Sequence, residues 1–404
     1  MRRSLSAGLA LVALVAAMLA AVPSASAAPS GHYIVVLKGS VASPGLTARH
    51  QASRYGAKVG FVYSHALKGY SATLSTARVA ALRADPEVAA VVADQTFHVA
   101  AQVLPTGIDR IDGEQSSTRS GDGSGSVDVD VAIIDTGIDS HHPDLDVVGG
   151  TNCVGGSSYD DDNGHGTHVA GTVAAKDDGN GVVGVAPGAR LWAVKVLNSA
   201  GAGTTSQIVC GIDWVTARAS TIEVANMSLG GSSPLGSFST CNSSWDPMHP
   251  AICRSVSAGV TYTVAAGNSA ASANSFVPAT YSEVITVSAL ADFDGKPGGL
   301  AGSTCRSDQD DTFADFSNYG SDVDVIAPGV CILSTYPGGG TAVLSGTSMA
   351  SPHVAGAAAL YKSRNPSATP AQVRSALRSN GTSDWNNADD HDATKEPLLN
   401  VGNF

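Results

Sequence analysis

The chain has 404 residues, of which 43% are hydrophobic and only 14% charged, and carries a net charge of −12. That length and apolar content support a large buried core and exceed what one small domain needs. The acidic balance argues against nucleic acid as a partner, because such a body repels phosphate backbones.

At the start, Arg2 and Arg3 precede an Ala/Leu/Val run from Leu9 to Val22, followed by Pro23 and Ala25-Ser26-Ala27. A basic start, a short apolar stretch and an A-x-A site predict a signal peptide over residues 1–27. As a membrane anchor the run is barely long enough, and it ends in a cleavage-type sequence. The mature protein is therefore expected to be secreted, without a membrane anchor.

Residues 28–101 form a second segment. His32–Lys38, Val59–Leu67, Gly69–Leu74 and Val88–Val92 read as strands and Thr76–Ala84 as a short helix, which predicts a small α+β sandwich. Residues 31–101 hold seven Lys/Arg against three Asp/Glu, whereas residues 102–404 hold fourteen against thirty-two. A basic segment ahead of an acidic one suggests mutual attraction.

After a Ser/Gly-rich connector ending near Ser126, strands alternate with helices over the rest of residues 102–404. The expected strands are Val127–Ile134, Leu191–Val196, Val224–Ser228, Thr261–Ala265, Ile285–Ala289 and Val323–Ala327. Helices are expected at His165–Ala175, Thr205–Ala219, Ser348–Ser363 and Pro370–Ser379. This order predicts an α/β fold with a central, mostly parallel sheet flanked by helices. The six cysteines all lie here and include no C-x-x-C pair, so disulfides are the better account of them. Fifteen pairings are open; the expected one joins Cys153 to Cys210, Cys241 to Cys253, and Cys305 to Cys331.

In such sheets working residues gather beyond the carboxyl ends of strands. Asp135 closes the strand VAIID, His165 lies in NGHGTHVAGT at a helix start, and Ser348 lies in SGTSMASPHVAG ahead of a small-residue helix. Singly these read as a turn Asp, a helix-terminal His and an N-cap Ser. Together they supply the nucleophile, base and orienting carboxylate that acyl transfer needs. Ser348 at a helix N-terminus would lie beside positive partial charge, and Asn268, in AAGN after an apolar strand, offers a second oxyanion donor with the Ser348 N–H. His165 and His168, three apart, could pair on a metal, but there is no H-E-x-x-H and no third ligand at helical spacing.

The segments VAIIDTGID (131–139), NGHGTHVAGT (163–172), NMSLGG (226–231), AAGN (265–268) and SGTSMASPHVAG (345–356) resemble the subtilisin-like serine proteases, the proteinase K type most of all. The resemblance implies an endopeptidase with Asp135, His165 and Ser348 as catalytic triad and Asn268 with Ser348 as oxyanion hole. It also implies that substrate pairs with Ser228-Leu229-Gly230, and that Ala265-Ala266-Gly267 wall a P1 pocket suited to apolar or aromatic side chains. Residues 31–99 resemble, more loosely, the family's inhibitory propeptide, cut by the enzyme itself; here the cut is expected near Ala100 or Ala101. No catalytic cofactor is expected. Structural calcium is, with Asp160-Asp161-Asp162, Asp292 with Asp294, and Asp389-Asp390 as acidic groups able to contribute. A monomer is the default state. A lipase would place its serine in G-x-S-x-G and follow the order Ser, Asp, His; Ser348 lies in G-T-S-M-A and the order differs. A peptide-binding pseudoenzyme would be expected to lack one of the four residues, and all four are present.

Overall fold

The computed structural model describes residues 30–94, 102–232, 240–388, 390–392 and 394–404. The signal segment, the processing site at Ala100 or Ala101, and Asp389 lie outside these. Two compact units divide the chain, residues 1–98 and 99–404.

The first unit runs β1 (Ser30–Leu37), α1 (Pro44–Tyr55), β2 (Lys58–Tyr63), β3 (Gly69–Ser75), α2 (Thr76–Arg83) and β4 (Val88–Ala93). Its antiparallel sheet has the order β2-β3-β1-β4. Val35, Leu37, Tyr70, Ala72, Leu74, Val88 and Val91 line its core with Ala48 and Tyr55 of α1 and Val79 and Leu82 of α2. Helix α1 was not foreseen, because its sequence PGLTARHQASRY carries too few large apolar residues to mark a face.

The second unit runs α3 (Thr106–Arg110), β5 (Asp130–Asp135), β6 (Val147–Asn152), α4 (His165–Ala174), β7 (Arg190–Lys195), α5 (Thr205–Thr216), β8 (Val224–Met227), β9 (Gly231–Ser232), α6 (Met248–Ser257), β10 (Thr261–Ala265), β11 (Phe276–Val277), β12 (Ile285–Ala291), β13 (Thr312–Phe313), β14 (Val325–Pro328), β15 (Ile332–Tyr336), β16 (Gly340–Leu344), α7 (Thr347–Arg364) and α8 (Pro370–Asn380). Parallel pairing gives the order β6-β7-β5-β8-β10-β12-β14, with β13 antiparallel on β12.

The alternation in β5 shows how one strand serves two cores. Val131 and Ile133 join the cluster that includes Val169 and Val173 of α4 and Val354 and Leu360 of α7. Ala132 and Ile134 join Ile208 and Ile212 of α5 and Ile252 of α6. Successive side chains of a strand point to opposite faces, so a fully apolar strand requires helices on both sides. Each fully buried Val or Ile side chain contributes roughly 1.5–3 kcal/mol by its removal from water. Thr204 and Thr369 open α5 and α8 with capping boxes completed by Gln207 and Gln372. Disulfides join Cys153–Cys210, Cys241–Cys253 and Cys305–Cys331.

Candidate active site

The chain reverses its direction of travel across the sheet at β5, which has β7 on one side and β8 on the other. Such a switch point leaves a crevice beyond the carboxyl ends of the strands. Asp135 is the last residue of β5, Ser228 follows β8 directly, and Asn268 lies three residues beyond β10.

Asp135 is fully buried; its Oδ1 accepts hydrogen bonds from the Thr136 N–H and from His165 Nδ1, each at 2.7 Å. His165 begins α4, and two glycines allow it to come this close. Gly164 has φ +110°, and a Cβ there would meet the Tyr336 ring at 2.4 Å. A Cβ on Gly166 would lie 2.1 Å from the Gly137 carbonyl oxygen. Burial works against protonation of His165, but the Asp135 charge and hydrogen bond, with a further contribution from Asp161, hold its pKa above the ordinary imidazole value.

Asp161 was foreseen only as part of an acidic triplet that could bind calcium. It instead organises the start of α4. Its Oδ1 accepts from the Asn163 and Gly164 N–H groups and the Thr136 hydroxyl, and its Oδ2 accepts from the Thr167 N–H and hydroxyl. Burial opposes its ionisation, yet these bonds outweigh that and leave its pKa lowered. Asp160 accepts from Ser140 and Ser158, and Asp162 from Lys195.

Ser348 is the second residue of α7, whose N-cap is Gly346. Its Oγ donates to the Ser228 carbonyl at 3.2 Å, and among the described residues no hydrogen bond joins it to His165. Both side chains line one cleft of about 400 Å³ with Thr136, Leu197, Leu229 and Gly230. Catalytic hydrogen bonds are often unformed without substrate. The Ser348 carbonyl has a distinct environment too. In a helix it would accept from the N–H of residue 352, but that residue is Pro352. Ser228 Oγ takes the vacant place and donates to the Ser348 carbonyl at 2.7 Å. Ser228 is held in turn by Asn226 Nδ2 at 2.9 Å, while Asn226 Oδ1 accepts from Thr263 and Ser351. Sequence reasoning missed this lattice; the Ser-Pro spacing after Ser348 is the signal that could have found it.

Asn268 Oδ1 accepts from both the N–H and the hydroxyl of Thr347, at 2.8 and 2.9 Å. Its Nδ2 is thereby left as a free donor. Asn268 and Ser348 border a second cavity, about 280 Å³, with Ala265, Ala266, Gly267 and Phe276 on its walls and no charged side chain among the described residues that line it. Leu229 and Gly230 line both cavities, and Ser228–Gly230 belongs to no strand.

His168, by contrast, turns away from His165 and bonds the carbonyls of Ile332 and Ala342. His142 and His353 also bond backbone, at Gly340 and Met349. A larger cavity of about 700 Å³ lies beside α8, where Arg374 and Arg378 both pair with Asp324.

Oxygen donors that could face a hard cation gather in more than one place among the described residues. Gln102 Nε2 donates to the carbonyls of Lys176 and Val182 at 2.7 and 3.3 Å, while Gln102 Oε1 and Asp144 Oδ1 are buried without partners. Asp144 Oδ2 accepts from the Val182 N–H, so these groups enclose one loop. The Asp292, Asp294 and Asp310 carboxylates also converge, within 4.8 Å of one another. There, however, Asp292 already faces Arg110 at 3.2 Å, and Asp310 accepts from the Phe293 and Ala301 N–H groups. Burial above all pushes Asp292 up to about 7.

Known proteins with this architecture settle the lineage. The Subtilase family pattern matches residues 126–396. The chain belongs to the subtilase family. Residues 32–100 match the Peptidase inhibitor I9 pattern, so this subtilase carries an inhibitory propeptide and is made as a zymogen. It is 43% identical over 314 residues to the alkaline protease of Alkalihalobacillus alcalophilus, covering 78% of this chain and 74% of that protein. Subtilisin E of Bacillus subtilis (strain 168) is 44% identical over 317 residues, covering 77% and 75%. A crystal structure of a cold adapted subtilisin-like serine proteinase superposes with a TM-score of 0.57 at 32% identity, covering 76% of this chain and 93% of that one. The subtilase is accordingly a serine endopeptidase with the subtilisin-like fold, and the mostly parallel sheet expected from sequence is the one observed.

Proposed function

We propose that this subtilase is a secreted endopeptidase of broad specificity in which Ser348 is the nucleophile, His165 the general base and Asp135 the group that orients and charge-stabilises the base. The 2.7 Å bond from His165 Nδ1 to Asp135 carries this reading, because it fixes the imidazole tautomer with Nε2 open to the cleft that Ser348 also lines. Rotation about χ1 releases Ser348 Oγ from the Ser228 carbonyl toward that nitrogen. His165 takes the proton as Oγ attacks the scissile carbonyl, then gives it to the leaving amine. The Ser348 N–H and Asn268 Nδ2 donate to the developing oxyanion. Ser228-Leu229-Gly230, outside any strand, would pair with the substrate backbone. The uncharged cavity walled by Ala265, Ala266 and Gly267 would accept an apolar or aromatic P1 side chain.

The Arg2–Ala27 segment supports export, and the first unit would act as an intramolecular inhibitor until self-cleavage near Ala100 or Ala101. A monomer suffices for this chemistry, since all the named groups lie on one chain. Structural calcium fits Gln102 Oε1 and Asp144 Oδ1, which are buried without hydrogen-bond partners, together with the neighbouring Lys176 and Val182 carbonyls. It would hold their loop and take no part in the chemistry.

Casein degradation by secreted wild type and Ser348→Ala, each with and without a serine-directed sulfonyl fluoride, tests the reading. Wild type should degrade casein and be blocked by the reagent, while the variant should be inert and keep its propeptide. A matured, folded wild type that leaves casein and unfolded peptides intact would make a binding role the better account.

A further inference from the structure

The segment between α8 and the end of the chain contains buried acceptors that no donor satisfies. Asn387 Oδ1, Asp390 Oδ2 and both carboxylate oxygens of Glu396 are buried without a hydrogen-bond partner. Glu396 is only 2% exposed. The loop that carries them closes on itself: Trp385 Nε1 donates to the Glu396 carbonyl at 3.1 Å, and the Asp390 N–H donates to the Asn387 carbonyl at 3.3 Å. Its ends are tied to the sheet, where Asn386 bonds the Asp311 carbonyl and Leu398 pairs with Thr382 and Ile326.

The cation adjacent in sequence does not neutralise these acids. Lys395 Nζ is spent on the carbonyls of Ser383 and Trp385 and lies over the Trp385 ring. His391 packs against the Tyr319 ring. Burial, then the nearby Asp390 and Asp392, pushes Glu396 up to about 8. A buried acceptor left unsatisfied costs about 1–3 kcal/mol, and more when charged. Glu396, with neither oxygen satisfied and the Asp390 charge near it, calls for a positive partner in this loop.

We propose that Asn387, Asp390 and Glu396 bind a calcium ion, with Glu396 as a bidentate ligand. The donor set is all oxygen and supplies four ligand atoms, including two carboxylates that balance a dication. Calcium takes six to eight oxygens, so backbone carbonyls or water complete the shell. The ion would fix the loop that seats Trp385 against Phe313, Leu290, Ile326 and Leu398. It thus serves the attachment of the C-terminal segment, away from the catalytic cleft and independent of the calcium reading for Gln102 and Asp144.

The test uses the full chain carrying Ser348→Ala, which prevents autolysis, and adds Glu396→Gln, Asp390→Asn or Asp144→Asn to it. Bound calcium is counted by equilibrium dialysis, and thermal unfolding is followed across a calcium titration. Glu396→Gln should bind one equivalent fewer, or bind it at least tenfold more weakly, and lose part of the calcium-dependent rise in Tm. Asp390→Asn, a milder change, should weaken the same equivalent if Glu396→Gln fails to fold. Asp144→Asn should spare it. Terbium in place of calcium should show tryptophan-sensitised emission that falls with Trp385→Phe while the count holds. An unchanged count and an unchanged Tm response in both loop variants would overturn the proposal and leave Glu396 as a protonated buried acid.

Discussion

Burial and the Asp135 carboxylate pull the His165 pKa in opposite directions, in a way that kinetics can read. Burial alone would lower the His165 pKa, and the Asp135 carboxylate reverses that. In the proposed mechanism the base works only when neutral, so kcat/KM on a chromogenic peptide should fall as pH drops through the His165 pKa. Asp135→Asn removes the raising influence and keeps the burial, so the acid limb should move to lower pH. The same change loses the tautomer control and should cut kcat by about 10⁴-fold, as in the trypsin-like triad. An acid limb that stays in place would show that Asp135 does not set the base. At this scale much was legible in the sequence: Asp135, His165, Asn268 and Ser348 each stand out by flanking glycines or strand ends. Asp161 and Asn226 were not legible, because their meaning lies in hydrogen bonds to residues up to 125 positions away, such as Ser351.

Helix α7 shows how an element can be adapted to hold one residue. Pro352 deprives the Ser348 carbonyl of its helical partner, and Ser228 Oγ supplies the replacement across the cleft from β8. Ser228→Ala should therefore orphan a buried carbonyl and destabilise the protein by about 1–3 kcal/mol. In a Pro352→Ala background residue 352 regains an N–H, and the same substitution should cost markedly less. Urea unfolding of the four proteins, each also carrying Ser348→Ala, gives the coupling directly. Additive effects would mean that the Ser228 bond does not stand in for the helical one. Elements with strong periodicity, such as β5 and α5, were readable from sequence within a few residues. Strand β6 was not, since its Gly149-Gly150 pair weakens any strand signal. Helix α6 was hidden by Pro250 in its first turn, and the β15–β16 hairpin by the adjacent polar residues Ser334 and Thr335, both of which are buried.

The molecule as a whole responds to pH and to salt through groups remote from the cleft. His168 and His353 are fully buried, and burial lowers each to about 4 from the ordinary 6.5. The unfolded chain binds their protons first, so the stability they contribute is present above pH 6.5 and lost as pH falls toward 4. His353→Gln should flatten the dependence of unfolding free energy on pH in that window by about 1.4 kcal/mol per pH unit. Unfolding curves of the Ser348→Ala chain with and without that change measure it, and parallel slopes would refute it. Asp292 and Glu396 act in the opposite direction, because burial raises them and their contribution is lost as pH rises, so only the difference between variants isolates the histidine.

The two units carry opposite net charge. Residues 31–101 carry a surplus of basic groups, and residues 102–404 a surplus of eighteen acidic ones. If that asymmetry contributes to inhibition, the isolated first unit added in trans should bind the mature enzyme more weakly as ionic strength rises, because the Debye length shrinks from about 10 Å at 0.1 M to about 3 Å at 1 M. Most of the change should appear in the association rate, since distributed charge steers encounter more than it holds the bound state. The inhibition constant and its two rate constants, measured between low salt and 1 M, decide the matter. A salt-independent association rate would assign inhibition to shape and apolar contact alone, and the basic surplus of the first unit would then serve only its solubility.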